Sequence, residues 1–197
     1  HEAWTPGAPT RYELSLALYR EDTLVALAAP RFFGFRQLTA QGDQLLLNGA
    51  PVHLRGVLSW GWNPATLAPM LSDDEIRALF QRAREHGFNL VKLCLFVPPP
   101  RFYEIADEEG MLLWLELPLW LPRMSEHLRR QASREYSEIL ARDHYHPAIV
   151  IYSLGCELGA DMADADLLAN LDRIVRGAAC GALVCDNSGS GEAYRGL

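Results

Sequence analysis

A chain of 197 residues, 49% of them hydrophobic, can bury one substantial core, alone or with a small appendage. The formal net charge of -7 argues against nucleic acids and anionic membrane surfaces, since both select basic patches. No apolar stretch is long and unbroken enough to span a bilayer.

Up to about Arg36 the pattern is one of short strands. Tyr12 to Tyr19 alternates large apolar with smaller or polar residues and predicts one strand. Thr23–Ala29 predicts a second, after the turn-like Glu21-Asp22. Two strands do not make a stable sheet, so this stretch reads as the tail of a β-sandwich.

From Gln41 strands and helices alternate. Leu45-Leu46-Leu47 runs into Asn48-Gly49, a strong hairpin signal, and Val52–Leu58 follows as a strand. Ser72 opens a helix, with Glu75 three residues on completing a capping box. Ile76, Leu79, Phe80 and Ala83 form its apolar stripe, and Gly87 ends it. Leu90–Phe96 is the next strand. Pro98-Pro99-Pro100 then starts a short helix that closes at Gly110. Met111–Leu115 is a buried strand ending at Glu116. A helix is expected over Glu126–Arg142, a strand over Ala148–Ser153, a helix over Ala165–Arg176 and a last strand over Ala182–Cys185. A glycine-serine loop, residues 186–191, follows.

This alternation is that of a parallel sheet with helices outside it. The fold class is α/β, of the (β/α)8 TIM-barrel type, with only the first five or so strands in this chain. A doubly wound nucleotide fold is less suitable, because no G-x-G-x-x-G follows the first strand. Acids recur instead at strand ends, as Glu116, Glu157 and Asp186, where barrels keep their chemistry. Glu157 stands out, placed between Gly155 and Gly159 just past an uninterrupted apolar strand. Its dull explanation is an acid at a helix N-terminus, favoured by the dipole and otherwise idle.

Other candidates surround it. Trp60, Trp62 and Trp120 lie in loops after strand ends, where indoles stack on sugars or simply cap a barrel. Lys92 and Glu116 either pair with each other or contact a substrate. Asp186, Asn187 and Glu192 sit in the final loop, as hydroxyl-binding groups or as a solvated turn. His146-Pro147 reads as structural, setting the approach to a strand. Cys94, Cys156, Cys180 and Cys185 form no C-x-x-C pair, which favours free buried thiols and slightly favours a reducing, cytoplasmic compartment. His53, His127 and His144 have no metal spacing with nearby acids, so no metal is assigned.

The residues now in view resemble the family 2 glycoside hydrolases, which include β-galactosidases, β-glucuronidases and β-mannosidases. Trp4-Thr5-Pro6 with Pro9 and Tyr12 is similar to the last part of that family's immunoglobulin-like domain, and Phe33-Gly34-Phe35-Arg36 to its domain junction. Asn48 through Val57 is similar to the first barrel strand, and Phe102-Tyr103-Glu104 with Asp107-Glu108-Glu109-Gly110 to the segment before the third. Arg142-Asp143, His146-Pro147 and Ser153-Leu154-Gly155-Cys156-Glu157 resemble the signature around the acid/base glutamate.

The resemblance implies residues 1–36 as the end of an immunoglobulin-like β-sandwich domain and residues 37–197 as the N-terminal part of a barrel catalytic domain. It also implies a retaining, two-carboxylate cleavage of a β-linked sugar, without organic cofactor. Glu157 takes the place of the proton donor, a role that calls for partial burial beside a second carboxylate. The nucleophile belongs to a seventh strand, outside this sequence, so the chain alone is expected to be inactive. Cys156 replaces an asparagine that contacts the sugar 2-hydroxyl, Lys92 replaces an arginine, and Leu95 a histidine. These changes keep a second reading open, a degenerate carbohydrate-binding or interaction module on the same scaffold. The open edges of a half-barrel also invite a homodimer.

Overall fold

The computed structural model describes residues 1–158 and 164–189. Its centre is a parallel sheet of five strands in chain order: β8 (Gly56–Ser59), β9 (Leu90–Leu93), β10 (Leu112–Glu116), β11 (Ile149–Ser153) and β12 (Leu183–Cys185). Helices α1 (Asp73–Glu85), α2 (Pro100–Glu109), α3 (Glu126–Asp143) and α4 (Ala165–Ala178) alternate with them. This is a partial (β/α)8 barrel. In register across the sheet, Leu58, Lys92, Trp114 and Ile151 form one row. That row lines a shared hollow, while the next row, Leu93, Leu115 and Tyr152, is wholly buried. The period of two thus separates an interior face from a helix-covered one.

The helices begin and end where local chemistry dictates. The Ser72 hydroxyl accepts from the Glu75 N–H, and the Glu75 carboxylate accepts the Ser72 N–H at 2.7 Å. Two orphan donors of the first turn are satisfied in this way. Ser72→Ala should therefore lower stability by about 1 kcal/mol in denaturant titration, without loss of helix content. Pro100 starts α2, and Gly110 closes it at φ 71°. A side chain at Gly110 would also strike the Pro6 carbonyl, at 2.3 Å.

The N-terminal part pairs differently from the sequence reading. The single strand expected over Tyr12–Tyr19 is two, β1 (Tyr12–Leu14) and β2 (Ala17–Arg20). The chain changes partner between them: β1 pairs antiparallel with β4 (Arg31–Phe33), and β2 with β3 (Thr23–Leu27). Most of their apolar side chains, Leu14, Leu18 and Leu27 among them, face solvent. The barrel is reached through an antiparallel trio, β5 (Leu38–Gln41), β6 (Gln44–Leu47) and β7 (Ala50–Val52). Its Asn48-Gly49 turn has positive φ at both residues, as a two-residue hairpin requires.

The strand expected over Val52–Leu58 is likewise interrupted. The Asn89 side chain accepts the Arg55 N–H and donates to the His53 carbonyl, so this backbone bonds to an amide instead of a ladder. The strand expected over Leu90–Phe96 stops at Leu93, because Leu95 is left-handed, at φ 52°.

Trp4 ties the N-terminal part to the barrel. It is fully buried, and its indole N–H donates to the Asp107 carbonyl at 3.0 Å. Asp107, itself buried, accepts from the Ala148 N–H at 2.9 Å and meets His146 Nδ1 at 2.6 Å. Together these fix the approach to β11, the structural role expected of His146-Pro147. Arg36 adds bonds to the carbonyls of Pro147, Ile149 and Cys180. No helix among the described residues is long and apolar enough to cross a membrane.

Candidate active site

Parallel strands all end on the same rim, and the loops beyond them carry the candidate residues. Past the strands, the loops continue the ladder in parallel bridges, Trp120 with Cys156 and Cys156 with Ser188. The Cys156 N–H reaches the Leu119 carbonyl at 2.9 Å, and the Glu157 N–H reaches Ser188 at 2.8 Å. Glu157 is therefore held by its backbone at the rim.

Its side chain takes its direction from a left-handed backbone, φ 49°. Trp120 Nε1 donates to Glu157 Oε2 at 2.9 Å, which unites two residues that the sequence singled out separately. Gly189, at φ 106°, leaves room for them; a Cβ there would lie 2.8 Å from Glu157 Cγ. In this part of the barrel Glu157 is exposed rather than partly buried.

Strain is concentrated on this rim. Leu67, Leu95, Leu121 and Glu157 are non-glycine residues with positive φ, one on each of the loops after β8, β9, β10 and β11. Among the described residues, the other two of this kind, Glu21 and Asn48, sit in hairpin turns. A leucine has no polar group to support this conformation, which costs on the order of 1–3 kcal/mol and is characteristic of functional sites.

Beneath the ladder lies a buried ion pair. Glu116, at the end of β10, has no exposed surface and meets Lys92 of β9 at 2.7 Å. Lys92 also donates to Ser188 Oγ at 2.7 Å and lies over the Trp114 ring at 5.1 Å. The Ser188 hydroxyl donates to the same carboxylate oxygen, Glu116 Oε1. Burial acts to raise the Glu116 pKa, but Lys92, Ser188 and the Cys94 thiol outweigh it and hold the carboxyl below its ordinary range. The pairing expected of Lys92 and Glu116 is thus present. Its second oxygen, Oε2, is buried without a hydrogen-bond partner.

Asp186 departs from the solvated loop expected of it. It is 5% exposed, with Oδ2 also lacking a partner, because it directly follows β12 and remains in the layer of the sheet. Among the described residues of this loop, 186–189, Gly189 is the exposed one. Asn187 Oδ1 accepts the Leu158 N–H at 2.9 Å and so fastens the last two loops together. Trp60 and Trp62 are exposed on the loop after β8, three strand positions from β11. Glu192 lies outside the described residues.

All four cysteines are free thiols. Cys94 and Cys156 are buried, as expected, but Cys180 is exposed on the turn after α4. Burial, with the Glu116 charge beside it, pushes the Cys94 thiol up to about 12 and also raises Cys156. The sulfurs of Cys94 and Cys156 and a Glu116 oxygen lie within 4.8 Å of one another. Sequence reasoning missed both Ser188 and Cys94 as members of this site. The signal for Cys94 was its position two residues beyond Lys92, on the same face of the strand.

Comparison with known proteins places this arrangement. The family described as glycosyl hydrolases family 2, TIM barrel domain, matches residues 38–175. A β-galactosidase of Vibrio vulnificus is 29% identical over 164 residues, covering 79% of this chain and 16% of the relative. A β-galactosidase of Lactococcus lactis is 28% identical over 172 residues, with the same coverage. The chain thus spans about a sixth of the length of these relatives, 16% in each case. Among solved structures, the β-D-mannosidase of Dictyoglomus thermophilum superimposes with a TM-score of 0.81 at 21% identity, over 97% of this chain and 27% of its own. An exo-chitosanase of Amycolatopsis orientalis gives 0.80 at 20% identity, over 95% and 23%. These two likenesses show the fold, and the match over residues 38–175 shows the lineage: the chain belongs to glycosyl hydrolase family 2, of whose TIM barrel it forms a part.

Proposed function

We propose that this chain supplies one side of the catalytic mouth of a retaining glycosidase acting on a β-linked sugar. Glu157 protonates the leaving oxygen and then, as carboxylate, activates the water that releases the sugar. The observation that carries this reading is Glu157 held at the barrel rim by the Trp120 indole. The attacking carboxylate is read as lying outside this sequence, so residues 1–197 alone should not turn over substrate.

Sugar hydroxyls are donors, and Glu116 Oε2 and Asp186 Oδ2 are buried acceptors without one. They are assigned to hydroxyl recognition. Trp120, half exposed, is assigned to stacking on the ring. Trp60, Trp62, Cys156, Lys92, Asn187 and Glu192 complete the assigned substrate contacts. The test is a panel of aryl β-glycosides supplied to the whole protein, with the anomeric proton followed by NMR. The first-formed sugar should keep the β configuration; an inverted product overturns the mechanism.

A second reading is a carbohydrate-binding module, favoured by the Cys156 thiol and by a Lys92–Glu116 pair closed on itself. Sugar binding without turnover in the whole protein would select it.

Residues 1–36 are assigned to the end of an immunoglobulin-like domain and residues 37–197 to the barrel. The exposed leucines of β1–β3 support this division, since such a surface calls for a covering layer. The edges of the sheet, β8 and β12, are the surfaces proposed to pair in a homodimer of residues 1–197. Sedimentation of that polypeptide should give a dimer, and a stable monomer overturns the pairing.

A further inference from the structure

We propose that Cys94, Glu116 and Cys156 form a binding site for a thiophilic divalent cation, with zinc as the fitting ion. The three side chains come from neighbouring positions of the rim: one residue beyond β9, the end of β10, and the ladder after β11. Their two sulfurs and a carboxylate oxygen already lie within 4.8 Å of one another. Around one zinc, with bonds of about 2.3 Å to sulfur and 2.0–2.2 Å to oxygen, such atoms are roughly 3.5–3.8 Å apart. Closing that gap asks for about an ångström of side-chain adjustment.

A second observation points to a ligand independently. Glu116 Oε2 is buried and has no hydrogen-bond partner, whereas Oε1 is occupied by Lys92 and Ser188. The carboxylate thus has one oxygen oriented by outer partners and the other free to coordinate, the usual division at metal sites.

Ligand chemistry selects the ion. Two thiols exclude magnesium and calcium, which take oxygen, and the carboxylate favours zinc over copper(I). Binding releases two protons as both thiols become zinc thiolates. The site is then neutral: two thiolates and one carboxylate against zinc and the Lys92 ammonium. Three protein ligands leave the fourth tetrahedral position for water or another donor. The inference does not rest on the glycosidase reading and competes with it at two groups: a cation on Glu116 Oε2 and Cys156 excludes a sugar hydroxyl from both.

The test is metal binding, not turnover. Cobalt(II) added to the whole protein under phosphine reductant should give a thiolate-to-cobalt charge-transfer band that saturates at one equivalent and is bleached by zinc. Cys94→Ser and Cys156→Ser should each weaken zinc by at least about a hundredfold, the loss that even outer partners of a ligand can cause. Cys180→Ser and Cys185→Ser should leave binding unchanged. X-ray absorption of the zinc-loaded wild-type protein needs no variant and should count two sulfur neighbours. A zinc shell of oxygen and nitrogen alone, no band, or a band that survives loss of both Cys94 and Cys156 overturns the site.

Discussion

Glu157→Gln in the whole protein should lower kcat/KM for β-glycosides with poor leaving groups by about 10²–10⁴-fold, or roughly 3–5 kcal/mol of transition-state stabilisation. The amide oxygen still accepts from Trp120 Nε1, so the side chain keeps its place at 2.9 Å and only the transferable proton is lost. With a dinitrophenyl leaving group, departure needs little protonation, and the first step should be nearly unchanged. Release of the sugar then becomes slow, because no base activates water, and kcat and KM should fall together. Azide, which attacks without a base, should restore turnover and yield the β-glycosyl azide. Unchanged hydrolysis of the poor leaving groups would remove Glu157 from the mechanism.

Lys92→Met should destabilise the fold by about 3–5 kcal/mol at neutral pH, the usual cost of stranding one member of a buried pair. Glu116 has no exposed surface, and Lys92 supplies the opposing charge at 2.7 Å. Without it, the burial that already acts against the carboxylate is opposed only by the neutral Ser188 hydroxyl and Cys94 thiol. The pH dependence has a definite sign. In the wild type the Glu116 pKa is lowered by folding, so its contribution is present above the ordinary glutamate value and is lost as pH falls through the lower folded value. In Lys92→Met the folded pKa should rise, and protonation relieves the stranded charge. The gap between the two proteins should be widest near neutrality, narrow as pH falls toward the ordinary glutamate value of about 4.3, and close only below it, where the wild-type carboxylate is itself protonated. The double variant Lys92→Met, Glu116→Leu should recover most of the loss, because neither charge is then buried alone. Denaturant titrations across pH measure all three, and a gap that does not vary with pH would show that packing, not charge, holds the pair.

Elements governed by near neighbours were legible in the sequence. The Ser72–Glu75 box, the Asn48-Gly49 turn and the Pro100 and Gly110 limits of α2 each depend on residues within a few positions. The buried run of β11 and the apolar stripe of α4 follow from period alone. Errors arose where a distant partner chose the pairing. One alternating stretch became β1 and β2 because two different strands take its halves, and the Asn89 amide interrupts the run after Val52.

The same division runs through the site. Sequence alone determined that Glu157 follows a buried strand, and that Glu116 and Asp186 stand at strand ends, since strand length and the shared direction of parallel strands put such residues on one rim. Only the tertiary structure decided which of them meet. Ser188 closes on Glu116 across 72 positions, and Trp120 reaches Glu157 across 37. Cys94 and Cys156 converge on Glu116 although no spacing in the chain links them. Parallel strands make neighbours of residues separated by a whole helix, so their contacts carry no local signature.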